Sequence, residues 1–244
     1  MCAFPYLIAL PILLLPVAAF AVEPEPIEET SESFESHGKK IAVDRFAPKT
    51  PGKHPAVVIL HGSGGLQGRG GYDVAARGLA RRGYVALIPH YFDRTGTTIA
   101  LPKTMKDEFT PWMETVADTV GFAAGRAEVD AAKIGLVGFS LGGYLSLSTA
   151  THDPRIKVIV DYFGGLPKEL HERAGKLPPT LILHGDADPI VPVHEAHTLE
   201  GLLKTHKILH EVKIYPGLGH GFSGTTGDDA ARRALAFLDT HLKT

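Results

Sequence analysis

Seven short apolar runs separated by stretches long enough for helices constrain this chain more than any other feature. The runs lie at 41–46, 56–60, 85–88, 134–137, 158–163, 180–183 and 212–215. The first alternates apolar and polar side chains, and the others are short apolar segments of the kind that form buried strands. Between them, 73–82, 111–126, 141–151, 193–205 and 228–242 have helix length, and several open with Asp or Pro, as helix starts do. This βαβα order predicts an α/β protein of the α/β-hydrolase fold, with a mostly parallel central sheet and helices on both faces. In such sheets, sites form at the carboxyl ends of the strands.

A chain of 244 residues, 44% hydrophobic and 21% charged, makes one domain with one sizeable core. The net charge of −2 provides no basic stripe, so nucleic acid is not an expected partner and a small molecule is. Thirteen histidines are scattered without an HExxH or paired CxxC spacing, and neither a metal nor a cofactor is expected. Residues 1–21 carry no charged side chain, centre on an apolar run and end Ala19-Phe20-Ala21, the small-x-small pattern of a signal-peptidase site. The expectation is a cleaved signal peptide, giving an exported protein, periplasmic or secreted, without stable membrane association. Pro5, Pro11 and Pro16 and the lack of Lys or Arg leave an uncleaved anchor as the alternative. Cys2 is the single cysteine, so the cleaved chain would have neither a disulfide nor a thiol nucleophile. Residues 22–38, rich in Glu and poor in apolar side chains, read as a flexible linker with at most a short edge strand near Phe34, and 39–244 as the folded domain.

Chemistry concentrates in three places. Gly138-Phe139-Ser140-Leu141-Gly142-Gly143 follows an apolar strand and opens a helix, the context in which GxSxG forms a nucleophile elbow. Serine needs a base, and in this fold the order along the chain is Ser, acid, His. His184-Gly185-Asp186-Ala187-Asp188-Pro189 follows the strand at 180–183 and offers Asp188, in preference to Asp186, as the acid. Gly219-His220-Gly221 follows the last strand and offers His220 as the base. An oxyanion hole requires the backbone N–H after the nucleophile, that of Leu141, and a second from the His61-Gly62-Ser63-Gly64-Gly65 loop. Ser63 is expected there, with Gly64 the alternative, while His61 reads as structural. Tyr91, Asp93 and Arg94 begin a long connection at a strand end. They are candidates to shape a substrate pocket, or else form a surface loop in which Asp and Arg pair. Trp112 is expected to pack its helix, and Val74, Leu79 and Tyr84 to form a core face.

Through HGSGG, YFDRTGT, GFSLGGY, HGDADPIVP and YPGLGHGF, the chain from His61 to its last helix resembles the dienelactone hydrolase family of α/β-hydrolases. The resemblance implies ester or lactone hydrolysis without a cofactor, with Ser140, Asp188 and His220 on the family's triad positions. Two departures separate it from the enzymes that name the family. Those use a cysteine nucleophile controlled by a glutamate, where this chain has Ser140 and Gly62. They also carry a substrate-gripping arginine soon after the histidine, where this chain reads Phe222-Ser223-Gly224. Both departures, and the expected export, argue against dienelactone itself. Two further classes compete with an esterase. A small serine peptidase of prolyl-oligopeptidase type would bring an extra gating domain, for which there is no room. A non-catalytic binding module would be betrayed by a lost triad residue, and all three are present.

Overall fold

The computed structural model describes residues 26–67 and 70–243. The leader expected at 1–21, with Cys2, lies outside the described residues. In chain order the elements are β1 (Ile27–Ser36), β2 (Lys39–Pro48), β3 (His54–Leu60), α1 (Gly70–Ala80), β4 (Val85–Pro89), α2 (Pro102–Ala124), β5 (Val129–Phe139), α3 (Leu141–Ala150), β6 (Ile156–Tyr162), β7 (Thr180–Gly185), α4 (His194–Thr205), β8 (His210–Tyr215) and α5 (Gly224–Leu242). Short 3₁₀ segments fill Tyr91–Arg94 and Lys168–Lys176. The strands form one sheet in the order β1-β2-β4-β3-β5-β6-β7-β8. The first three are antiparallel neighbours and the rest run parallel. Each apolar run read from the sequence is a strand of this sheet. Central strands such as β4 are buried along their whole length because helices cover both faces. Leu136, Leu145 and Trp112 belong to the core under α2, α3 and α4, and Val57, Val160 and Phe237 to the core under α1 and α5.

The N-terminal boundary differs from the expectation of a flexible linker over 22–38. Residues 27–36 form a ten-residue strand, paired with β2 along its length from Ile27↔Pro48 to Ser36↔Lys39. The acidic side chains that argued for a solvated linker have partners far along the chain. Arg45 binds Glu28, Arg126 binds Glu32, and Arg77 grips Glu29 with two hydrogen bonds of 2.8 Å. Phe34 stacks on Phe122 of α2, with ring centroids 5.2 Å apart.

Two details of the helices also differ. α2 begins at Pro102 rather than 111, because Pro102 occupies a first-turn position where its missing N–H is harmless, and Pro111 is carried inside the helix. Leu79 and Tyr84 are buried, but Val74 is 68% exposed, so the core face of α1 does not include it. Trp112 is fully buried against Phe92, and its indole N–H donates to Thr95 Oγ1 at 2.9 Å, which makes it a packing residue.

Candidate active site

β5 ends in the centre of the sheet and turns at once into α3. Ser140 makes that turn with φ 55° and ψ −117°, a left-handed conformation that costs a non-glycine residue roughly 1–3 kcal/mol and persists only where the surroundings enforce it. They do so through glycine. A Cβ on Gly138 would collide with the Gly142 carbonyl, and one on Gly142 with the carbonyls of Leu60 and His61. Strand and helix therefore meet at backbone contact. The Ser140 N–H is fixed to the Tyr162 carbonyl at 2.9 Å, and the Ser140 carbonyl accepts from Gly143 N–H at 2.8 Å. Ser140 occupies the N-cap position of α3, yet its side chain makes no capping hydrogen bond. Its Oγ instead lies 2.9 Å from His220 Nε2.

The histidine reaches Ser140 from the loop after β8, and the acid from the loop after β7. His220 Nδ1 donates to Asp188 Oδ2 at 2.7 Å, while Asp188 Oδ1 accepts the N–H groups of Ile190 and Val191 at 2.8 and 2.9 Å. Burial opposes the charge on Asp188, but the hydrogen bonds from His220 and from these amides outweigh it and hold the carboxyl below its ordinary range. The loop is pinned from beneath by buried His184, whose Nε2 donates to the Val191 carbonyl at 2.8 Å. Asp186 points elsewhere and accepts the Gly217 N–H at 2.6 Å, so the competing carboxylate serves the turn after β8. Phe163, itself at φ 44°, places its ring 4.7 Å from the imidazole of His220.

The loop after β3 closes the other side. His61 is buried, stacked on Tyr91 with ring centroids 4.0 Å apart, and burial lowers its pKa to about 4, so it is neutral and structural. The Gly62 N–H is engaged by Tyr72 Oη at 3.1 Å, and the Ser63 carbonyl accepts Ala100 N–H at 2.8 Å. Tyr72 carries no sequence signal that marks it, since only the fold brings the start of α1 against this loop.

The three candidates for a substrate pocket do not gather at Ser140. Tyr91 is fully buried and its hydroxyl supports the loop from below, donating to the His61 carbonyl at 2.7 Å. Asp93 accepts the Ala42 N–H of β2 at 3.0 Å, and Arg94 donates to the His37 carbonyl and faces Glu114 at 3.6 Å. The strand end turns into a 3₁₀ segment that these side chains fasten, and Asp93 and Arg94 also line a cleft with Lys39 and Glu108 to which Ser140, Asp188 and His220 do not contribute. Among the described residues, no group of three or more His, Cys, Asp or Glu side chains is arranged to hold a metal ion.

Beneath the elbow, Asp161 of β6 is fully buried against the backbone of Gly143 and Gly164, and burial raises its carboxyl to about 8. A folded-state pKa above the unfolded value of about 3.9 favours folding of the protonated form. Its contribution is complete below about pH 4 and is lost as pH rises towards 8. Asp161→Asn, which keeps the neutral shape, is expected to remove this part of the pH dependence. Urea unfolding between pH 4 and 9 should show a steeper decline for the parent, and parallel curves would refute the assignment.

A strained serine between a parallel strand and a helix, joined by hydrogen bonds to a histidine and a carboxylate from later strand ends, is the site architecture of the α/β-hydrolase fold. The dienelactone hydrolase family model matches residues 41–241, and the chain belongs to that family. Over 169 residues it is 28% identical to the carboxymethylenebutenolidase homologue of Xenopus tropicalis, covering 66% of this chain and 68% of that protein. A solved candidate dienelactone hydrolase from Klebsiella pneumoniae subsp. pneumoniae superposes with a TM-score of 0.78 at 23% identity, over 89% of this chain and all of that one. A hyperthermophilic esterase from Pyrobaculum calidifontis superposes with a TM-score of 0.70 at 21% identity, over 88% of this chain and 87% of that one.

Proposed function

We propose that this chain is a serine hydrolase that cleaves small carboxylic esters or lactones through an acyl-enzyme. The observation that carries the proposal is the unbroken series Asp188 Oδ2 to His220 Nδ1 at 2.7 Å and His220 Nε2 to Ser140 Oγ at 2.9 Å, assembled from three separate strand ends. In the first step Ser140 Oγ attacks the carbonyl carbon while His220 Nε2 takes its proton. The oxyanion is received by the N–H groups of Leu141 and Ser63. Engagement of the Gly62 N–H by Tyr72 removes that amide from the choice and leaves Ser63, or its neighbour Gly64, as the loop's donor. Collapse of the intermediate passes the proton from His220 to the leaving alcohol, and a water activated by the same nitrogen then releases the acid. Asp188, ionised and fixed by two amides, keeps the proton of the resting imidazole on Nδ1 and stabilises the imidazolium. The reading needs no cofactor. We also propose that residues 1–21 direct export and are removed, which the mass of the protein recovered from the exporting cell would test.

Treatment of the purified protein with a fluorophosphonate probe, followed by mapping of the modified peptide, is expected to place the label on Ser140. The label should disappear in His220→Ala. A folded protein that takes no label would sink the mechanism and favour a binding module.

A further inference from the structure

The acyl half of an ester must leave the oxyanion hole on the side away from His220, since the imidazole has to protonate the alcohol. We propose that the cleft between the N-terminal half of α2 and the start of α3 is an acyl-chain subsite for an uncharged apolar acyl group. This inference rests on the serine hydrolase reading above.

The cleft has a volume of ≈ 630 Å³, within the range of small-molecule sites, and its apolar lining comes from Met105, Phe109, Met113, Leu141, Tyr144 and Leu170. Both walls start at the proposed oxyanion donors. Leu141 opens α3, and the segment that leads into α2 is tied to Ser63 through Ala100 N–H at 2.8 Å. A carbonyl oxygen held by Leu141 and Ser63 would therefore have the cleft running away between the two helices. Met105, Phe109 and Met113 recur every four residues, so they share one face of α2. That face is distinct from its core face, where Trp112, Val116, Val120 and Ala123 are fully buried. The stripe itself is only half-buried, although it packs against the core cluster. The charged side chains and the imidazole that line the cleft, Lys106, Glu169 and His152, are exposed at its rim, and the half-buried Tyr144 adds a neutral phenol to its wall. An apolar floor inside a polar rim admits a hydrocarbon chain and penalises a buried charge. On the opposite face of the sheet, a cleft of ≈ 410 Å³ lined by Gly221 and Phe222 lies beside the loop that carries His220, on the side this proposal leaves to the alcohol.

The test is a series of p-nitrophenyl esters from acetate to decanoate, set beside acetate esters of lengthening alcohols. For the parent protein kcat/KM is expected to rise with acyl length by up to about four-fold per methylene while the cleft fills. Met113→Trp and Phe109→Trp, which fill the cleft, should erase at least about ten-fold of the octanoate advantage, leaving acetate turnover and the alcohol series unchanged. A flat acyl series in a protein that hydrolyses acetate would overturn the subsite and leave the hydrolase standing. A variant effect on the alcohol series alone would overturn it too. Failure to cleave any ester, with no fluorophosphonate label, would remove the hydrolase reading and the subsite together. Should both variants lose acetate turnover, inhibition of the parent by alkylboronic acids of increasing length decides, with affinity that rises with length in support and constant affinity against.

Discussion

Asp188→Asn is expected to lower kcat by about 10⁴-fold with the fold intact, the magnitude that follows when a catalytic histidine is held in the wrong tautomer. The reason lies in how the carboxylate is held. Oδ1 accepts two backbone N–H groups, from Ile190 and Val191, while Oδ2 faces His220 Nδ1. In the amide variant only one atom can accept, and two donors from the backbone outcompete one from the imidazole for it. The amide NH₂ is thereby turned towards Nδ1, the imidazole proton moves to Nε2, and Ser140 faces a donor in place of a base. The 188 loop keeps both of its backbone hydrogen bonds, so the thermal midpoint should move little. Steady-state hydrolysis of an activated ester, with ring-nitrogen NMR shifts of His220, checks both parts. Turnover within ten-fold of the parent would show that Asp188 does not set the tautomer.

The sequence carried the alternation of strands and helices and the elbow because both are local. An apolar run of four residues followed by GFSLGG is complete within ten positions, and the register Leu60↔Gly138 and Phe139↔Tyr162 then places Ser140 at the centre of the sheet. Asp188 and Asp186 look alike in the sequence, and the amides two and three residues further on that fix Asp188 beside His220 appear only in the folded loop. What was not legible depends on contacts between distant segments. β1 reads as a solvated acidic segment until Arg45, Arg77 and Arg126 are brought beside Glu28, Glu29 and Glu32. Tyr91 sits at a strand end that resembles a pocket wall, and only the stacking of His61 over it shows that it belongs to the core. The α2–α3 cleft was out of reach for a related reason. It required the start of α2 nine residues earlier than read, and a half-filled groove between two helices has no one-dimensional signature. The glycine at 62 fits the same picture. A Cβ there would stand 3.4 Å from Ser140 Cβ, so a longer side chain at 62 would lie against Ser140, and this serine is left with His220 as its partner.

Gly142→Ala and Gly201→Ala should move stability in opposite directions, although each adds one methyl group to a helix. At Gly201 in α4 nothing lies within 4 Å of the added Cβ, and replacing a helical glycine is expected to stabilise by about 0.5–1 kcal/mol through the lower entropy of the unfolded chain. At Gly142 the same methyl meets the carbonyls of Leu60 and His61. Those carbonyls cannot retreat. β3 is held between β4 and β5, and the His61 carbonyl is also bonded to Tyr91 Oη. The helix must yield instead, at an expected cost of about 3 kcal/mol, the upper end of the usual range for overpacking. Because α3 carries Ser140 at its entrance and the Leu141 N–H in its first turn, a shift of the order of 1 Å displaces the proposed nucleophile and oxyanion donor together, and kcat should fall by about 10²-fold or more. Urea midpoints and ester turnover measured on the two variants side by side separate this from any generic effect of alanine. Loss confined to Gly142→Ala would tie the backbone contact of β3 with α3 to both stability and chemistry. Parent-like behaviour there would mean that the elbow does not depend on that contact.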